Sequence, residues 1–348
     1  MQPLHALDPL AAEGLMADLG VPRYRAAQVL KWVYARGVLD PDDMTDLPAS
    51  LREALKGQVS GLALELANDQ LSTDGTRKLA LRLEDGELIE SVLIPDGERL
   101  TLCVSSQVGC AMGCRFCATA QLGLRRHLRV EEIVGQVVLA REIAASLEPA
   151  GRPLTNLVFM GMGEPLHNID VLLQALLILS APWGLGISGR RITVSTVGLV
   201  PEMRRLLEGS RVNLAVSLGA TTEDSRRELM PITRKWSLAS LLDECRTLPV
   251  PRRKRITFEY TLLAGENDSD DDARRLVGLL HGIRAKVNLI FWNEFEGAPY
   301  RRASRERTEA FQRVLLDHGV HASIRESRGP DIAAACGQLA RRGVAEGA

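Results

Sequence analysis

Between residues 154 and 292 the chain repeats one unit, a short apolar run followed by a segment of helical period. The runs are Leu154 to Met160, Arg191 to Ser195, Arg211 to Leu218, Arg255 to Leu263 and Lys286 to Trp292, with helix-period segments near Asp170 to Leu179 and after Pro201. Few folds are open to such a chain. Consecutive parallel strands need a long crossover, and a helix packed back onto the sheet supplies it. With the strand that ends near Cys103 there are about six βα units, too few for a closed eight-stranded barrel. We therefore predict an α/β fold built on an open, partial (β/α)6 barrel, with ligands bound beyond the carboxyl ends of the strands. Gly161 to Pro165, Ser195, Ser217, Asn293 and the stretch from Cys110 to Cys117 all fall at that end.

Other segments have other periods. Residues 1–60 read as a helical accessory domain: Asp8-Pro9 caps a helix through Leu19, Pro22 opens a second through Ala35, and shorter pieces follow from Asp40 to Lys56. Arg23, Tyr24, Arg25, Lys31 and Trp32 form either a nucleic-acid contact or an ordinary solvated helix face. Residues 61–98 change to period two. Leu62 to Leu66, Thr76 to Leu83 and Glu87 to Ile94, with Arg99 to Ser105 beyond them, are separated by Asp-Gly turns and predict an antiparallel β extension. Residues 99–326 are assigned to the barrel and 327–348 to a C-terminal segment.

The chain has 348 residues, 45% hydrophobic and 25% charged, which is ample for a large core. A formal net charge of -1 argues against a protein that coats polyanions over its whole surface, but local basic patches remain open. The N-terminus lacks a basic segment followed by an apolar run, and no run of eighteen apolar residues occurs, so no membrane association and a cytoplasmic location are expected. Six cysteines in such a chain suit metal binding or redox chemistry better than a disulfide framework. Cys245, on a helix-period segment, reads as core filler.

Cys110, Cys114 and Cys117 have the spacing C-x3-C-x2-C, which offers three thiolates and leaves one position of a metal cluster without a protein ligand. Three irons of a [4Fe-4S] cluster, with the fourth free to bind a small molecule, fit that number. The alternative is structural zinc held by Cys103, Cys110, Cys114 and Cys117, although zinc ribbons usually present two separated C-x2-C pairs. Gly161-Met162-Gly163-Glu164-Pro165 could by itself be only a tight turn.

Taken together, these residues resemble the radical S-adenosylmethionine (SAM) superfamily: the cysteine triplet with Phe116 before its last member, and the Gly-Glu-Pro segment. Further stretches, Thr101 to Cys110, Asn288 to Asn293 and Arg328 to Leu339, resemble the 23S ribosomal RNA adenine C2-methyltransferases over nearly the whole chain. The resemblance implies a radical SAM partial barrel that binds a [4Fe-4S] cluster through Cys110, Cys114 and Cys117. It implies SAM binding by Gly163, Glu164, Ser195, Ser217, Leu218, Gly219 and Asn293. Where that family commonly has Ser-Leu-His, this chain has Ser217-Leu218-Gly219, so any histidine side-chain contact is absent.

The implied reaction is methylation of C2 of an adenosine in the peptidyl-transferase centre of 23S rRNA and of the adenosine 3′ of the tRNA anticodon. Two SAM molecules are used, with Cys336 carrying the methyl group, Cys103 releasing the product and leaving a Cys103–Cys336 disulfide, and Glu90 as proton acceptor. A monomer served by an electron donor such as flavodoxin or ferredoxin is also implied. Two alternatives stand beside it: a C8-methylating rRNA resistance methyltransferase that uses the same two cysteines, and a non-catalytic iron-sulfur or zinc RNA-binding protein. Arginine runs at Arg125-Arg126-x-x-Arg129, Arg190-Arg191, Arg252 to Arg255 and Arg301-Arg302 are candidate phosphate contacts. The target base would have to leave its stack to be reached, which favours loop RNA.

Overall fold

The fold was analysed in a computed structural model that describes residues 1–147, 153–295 and 297–339. Strand β1 (Gln2–Pro3) leads into α1 (Pro9–Asp18), whose first turn is closed by the Asp8 carboxylate accepting from Ala11 N–H. The helix predicted from Pro22 is shorter, α2 (Arg25–Leu30), and continues as a π turn over Lys31–Ala35. The consecutive Trp32, Val33 and Tyr34 of this turn are all buried. Trp32 is thus no part of an exposed basic face: its indole N–H donates to Asp46 and Arg36 stacks on its ring at 3.8 Å. Helix α3 (Ala49–Lys56) and strand β2 (Val59–Ser60), parallel to β1, complete this region.

A ten-stranded mixed sheet follows. Strands β3 (Leu64–Leu71), β4 (Arg77–Leu83), β5 (Leu88–Asp96) and β6 (Arg99–Cys103) form an antiparallel meander. Then β9 (Asn156–Phe159), β10 (Ile192–Thr196), β11 (Asn213–Ser217), β12 (Ile256–Leu262), β13 (Ala285–Phe291) and β14 (Ala322–Arg325) add in parallel, starting from β6. Between β6 and β9 lie a small hairpin, β7 (Gln107–Gly109) with β8 (Leu124–His127), the short α4 (Ala118–Gln121) and the long α5 (Val130–Ser146). The later crossovers carry α6 (Ile169–Ser180), α7 (Val200–Gly209), α8 (Glu223–Leu229), α9 (Leu238–Thr247), α10 (Asp270–Leu279) and α11 (Arg305–Asp317).

The architecture is an open α/β barrel with free edges at β3 and β14. The meander and the parallel run share one sheet. The last parallel strand escaped sequence reading because Ala322-Ser-Ile-Arg325 is short and half polar. Val194, Val216, Phe258, Tyr260 and Leu289 are fully buried between the helix layer and the barrel interior, each contributing about 1.5–3 kcal/mol over an exposed position. No described helix is long and apolar enough to cross a membrane.

One buried ion pair sits inside the meander. Lys78 Nζ lies 3.4 Å from Glu90 Oε1 with both side chains almost fully covered. Removing one partner strands a charge in a poorly solvated place, so Lys78→Met is expected to cost about 3–5 kcal/mol, and Lys78→Met/Glu90→Leu to recover most of it. Urea unfolding checks this; a single-variant loss no larger than that of the double variant would contradict it.

Candidate active site

Two loops carry the sequence-predicted chemistry, and hydrogen bonds join them. After β6, Ser105 Oγ donates to Glu90 O at 2.6 Å and accepts from Met162 N–H at 2.8 Å, while Ser106 N–H donates to Met162 O at 2.8 Å. Gln107 Oε1 accepts from Glu164 N–H at 2.8 Å. The approach is close enough to exclude side chains. A Cβ on Gly161 would stand 2.7 Å from Ser105 Oγ, and Gly163, at φ +101°, has the Gln107 side chain against it. Glu164 is buried, and its two carboxylate oxygens accept from Leu166 N–H at 3.1 Å and Val197 N–H at 2.9 Å. Burial pushes its carboxyl up to about 7 against the pull of those bonds.

The cysteine loop is shaped by another tight glycine. Gly109 has φ +78°, a Cβ there would collide with the Gly123 carbonyl, and that carbonyl accepts from Cys110 N–H at 2.9 Å. Cys110 and Cys114 are buried and Cys117 is half-buried. Burial pushes all three thiols up, Cys110 to about 12, and Cys110 and Cys117 add to the effect at Cys114.

A cavity of about 150 Å³ opens beyond the carboxyl ends of the strands and is lined by Cys114, Cys117, Gly163, Glu164, Ser195, Ser217 and Cys336 among others. A smaller one, of about 50 Å³, is lined by Cys103, Asn293 and Cys336. Met160, Ile290 and Cys336 belong to both walls, so Cys336 stands between Cys114 and Cys117 on one side and Cys103 on the other.

Residues 104–277 match the radical SAM superfamily, and residues 4–60 match the ribosomal RNA large subunit methyltransferase N-terminal domain. The chain is 53% identical over 327 residues to the dual-specificity RNA methyltransferase RlmN of Syntrophotalea carbinolica, spanning 93% of this chain and 85% of that one. It is 51% identical over 330 residues to the protein of the same name from Geobacter sulfurreducens, spanning 94% and 89%. This chain belongs to the RlmN family. A crystal structure of a radical SAM methyltransferase from Sphaerobacter thermophilus superposes with a TM-score of 0.93 at 44% identity, covering 97% of this chain and 99% of that one.

A radical SAM chain of the RlmN family works with a [4Fe-4S] cluster and SAM. The donor set fits the cluster: three desolvated thiols crowd one loop, and a thiol in such a place ionises when a metal binds it. No group of His, Cys, Asp or Glu among the described residues is gathered tightly enough to hold a single metal ion.

Not every residue implied by the resemblance lies on a cavity wall. Asn293 lines the smaller cavity, but its amide is engaged with the chain, donating to Cys336 O at 3.3 Å and accepting from Ser327 Oγ at 2.6 Å. Cys110, Leu218 and Gly219 are absent from both linings. Leu218 N–H donates to Glu259 O, and the Leu218 carbonyl accepts from Arg226 Nε at 2.9 Å. Glu90 also lines neither cavity. It lies two residues along β5 from Val92, which pairs with Cys103, and so shares a sheet face with that thiol.

The implied Cys103–Cys336 disulfide is not present, since all six cysteines are free. It is therefore no structural cross-link. Burial, reinforced by Cys336, pushes the Cys103 thiol well up.

Sequence reading overlooked Glu259 in Ile256-Thr-Phe-Glu-Tyr-Thr-Leu262, although a carboxylate inside a buried apolar strand was the available signal. It lines the larger cavity and accepts from Ser195 Oγ at 2.8 Å; its other oxygen makes no hydrogen bond and faces Arg325 at 3.8 Å. Burial pushes its carboxyl up, and Arg325 pulls it down.

Gly219, the departure from the family pattern, has φ +76°, and a Cβ there would collide with the Met230 sulfur. Met230 thus takes the space a side chain would need. Gly265 has nearly the same φ, +77°, with nothing near its missing Cβ. Both Gly→Ala variants pay the left-handed backbone cost, so Gly219→Ala should destabilise by about 1–3 kcal/mol more than Gly265→Ala, the usual cost of overpacking. Equal losses in chemical unfolding would show that Met230 swings away freely.

Proposed function

We propose that this chain methylates C2 of adenosine, in the peptidyl-transferase centre of 23S rRNA and 3′ of the anticodon in tRNA, in the manner its relatives' name suggests. Those relatives are named dual-specificity RNA methyltransferases. The observation that carries the reading is the position of Cys336, common to the cavity with the cluster thiols and Glu164 and to the cavity with Cys103.

C2 of adenine is neither acidic nor nucleophilic, so ordinary methyl transfer to it fails and a protein-bound carrier is needed. Cys336 serves as that carrier, its thiolate taking a methyl group from the sulfonium of a first SAM. When bound, the cluster and a second SAM supply one-electron chemistry that removes a hydrogen atom from the methyl group. The carbon then bonds to C2 and joins RNA to Cys336. Glu90 accepts the C2 proton. The addition leaves one unpaired electron on the ring, which passes to a one-electron acceptor, the role the bound cluster would supply. The Cys103 thiolate then attacks the Cys336 sulfur, an S–S bond forms as the C–S bond breaks, and the electron pair of the broken bond leaves with the carbon, which takes up a proton to complete the methyl group. An electron donor such as flavodoxin or ferredoxin reduces the cluster. Glu164, Ser195, Ser217, Gly163 and Asn293 orient SAM, while Leu218 and Gly219, whose carbonyls are bonded within the chain, hold the loop behind Ser217. The protein works as a cytoplasmic monomer.

Four measurements test this. Peptide mass spectrometry of active protein should find an added methyl on Cys336; an unmodified Cys336 throughout turnover would remove the carrier role. Cys103→Ala should accumulate RNA joined covalently to Cys336, and release of methylated RNA at the normal rate would contradict the resolving role. Base mapping of RNA from cells with and without the protein should place the methyl at C2, and a C8 product would favour the resistance methyltransferases. Zinc without iron after anaerobic purification would favour a non-catalytic RNA-binding protein.

A further inference from the structure

Apart from Arg301-Arg302, which lies at the carboxyl ends of the strands with Arg302 over the Phe291 ring at 4.4 Å, the arginine runs separate into two kinds once they are placed on the fold. Those near the cysteine loop are neutralised: Arg126 pairs with Asp85 and Glu132, Arg125 with Glu87, and Arg129 with Glu84, Glu131 and Glu132. The other large group lies at the opposite end of the barrel. Arg190 and Arg191 precede β10, Arg211 precedes β11, Arg252 to Arg255 precede β12, and Arg284 precedes β13. These are the amino ends of the strands, about 20 Å along a seven-residue strand from the cavity mouth.

Two clefts at this end are lined by basic side chains and by no acidic ones. One cleft is lined by Arg252, Arg253, Lys254, Arg255, Arg284 and His321, and an adjoining one by Arg190, Arg211 and Lys254. Among the described residues none of these side chains has an acidic partner within ion-pair distance, unlike Arg125, Arg126 and Arg129 near the cysteine loop and Arg204 and Arg205 on α7. Lys254 Nζ donates to Arg211 O at 2.7 Å and to Val212 O at 3.1 Å, and Arg284 donates to Pro251 O at 3.2 Å, so two of the cations are fixed in place. Burial and the nearby Arg190 charge push Lys254 down, a sign of like charges held together. Crowded cations with no internal counter-charge, in a protein of net charge -1, are complementary to a polyanion.

We propose that the amino-end face of the barrel is a second RNA-binding surface, which grips the phosphate backbone of helical RNA flanking the target base. The inference rests on the RNA-methyltransferase reading above and extends it. The surface lies too far from the mouth to touch the loop that presents the adenosine, so only a long, folded RNA can engage both ends. It therefore adds affinity for large substrates without altering the chemistry.

The test measures binding and methylation of two RNAs, a short hairpin carrying only the acceptor loop and a long RNA carrying the same loop on an extended duplex stem. For Arg252→Glu/Arg253→Glu/Arg255→Glu, the long RNA should bind about tenfold or more weakly at 0.15 M salt, with the log Kd against log salt slope reduced by about two to three. The hairpin should be bound and methylated as before, and the triple Arg→Lys variant should retain long-RNA binding. Arg190→Glu/Arg211→Glu, in the adjoining cleft, should act in the same sense. An unchanged long-RNA Kd, or equal weakening on both RNAs, overturns the inference. Loss of reduction by an acidic electron-transfer protein with long-RNA binding intact overturns it in favour of a protein partner. Because binding and methylation are read separately, failure of the wild type to methylate either RNA counts against the function proposed above, while the binding contrast still decides this one.

Discussion

The hydrogen bonds that tie the loop after β6 to the loop after β9 set the position of everything else in the site. Gln136, buried on α5, accepts from Ser91 Oγ at 2.7 Å and Ser105 N–H at 2.8 Å, and donates to Ser105 O and Glu132 O, both at 3.0 Å. Ser105 passes the connection to Met162, and Gln107 passes it to Glu164. A buried polar network of this kind is stable only when fully satisfied, and a satisfied one admits a single arrangement. The cysteine loop and the Gly-Glu-Pro loop are thus fixed relative to each other before any cofactor arrives. Gly161 and Gly163 are the steric side of the same constraint, since a side chain at either would force the loops apart.

Charge is the second constraint. Three desolvated thiols and two buried carboxylates, Glu164 and Glu259, surround one region, and each is held toward its neutral form by burial. One buried cation answers them from within the fold. Arg226 donates to Leu218 O at 2.9 Å, Thr233 Oγ1 at 2.6 Å and Val197 O at 2.7 Å, bridging the ends of β10 and β11. Burial pulls its guanidinium down to about 10, and the charge of Cys114 supports it against that pull. The same side chain that closes the strand ends therefore places positive charge beside a candidate cluster ligand.

Much of this was legible in the sequence because the signals were local. Apolar period and turn residues located the meander and all but the last parallel strand, and three cysteines in one loop need no long-range knowledge to suggest a cluster. The rest depended on which residues meet. Gln136 and Arg226 look like ordinary helix residues until their partners from other elements are known. Glu259 signals its importance only once β12 is known to be buried on both faces, and Trp32 passed for a surface aromatic because Asp46, which accepts its indole N–H, lies outside the helix-period segment. The arginine runs show the limit most clearly: neighbouring sequence says nothing about whether an acid from another strand neutralises them.

The C-terminal segment gives the meander a role that neither has alone. Cys336 lies beyond β14, outside the strand–helix repeat, and the barrel reaches its backbone only from the loop after β13, where Asn293 donates to Cys336 O at 3.3 Å. On one side the segment is held by the cluster loop, through Ala118 N–H to Gly337 O at 2.7 Å and Thr119 Oγ1 to Leu339 O. On the other side it is held by the turn between β3 and β4. Asp331 accepts from Ser72 Oγ and from Thr73 N–H at 3.1 Å, while Asp74 accepts from Gly329 N–H at 3.0 Å. Gly329 and Ala333 both take the left-handed conformation between these anchors, and for Ala333 that costs about 1–2 kcal/mol. Contacts on both flanks are what offset it. A sheet extended past the barrel by β3 and β4 thus provides the anchor that holds an exposed thiol at the junction of two cavities, and the meander becomes part of the site's construction although none of its strand residues except Ile94 and Cys103 lines the smaller cavity.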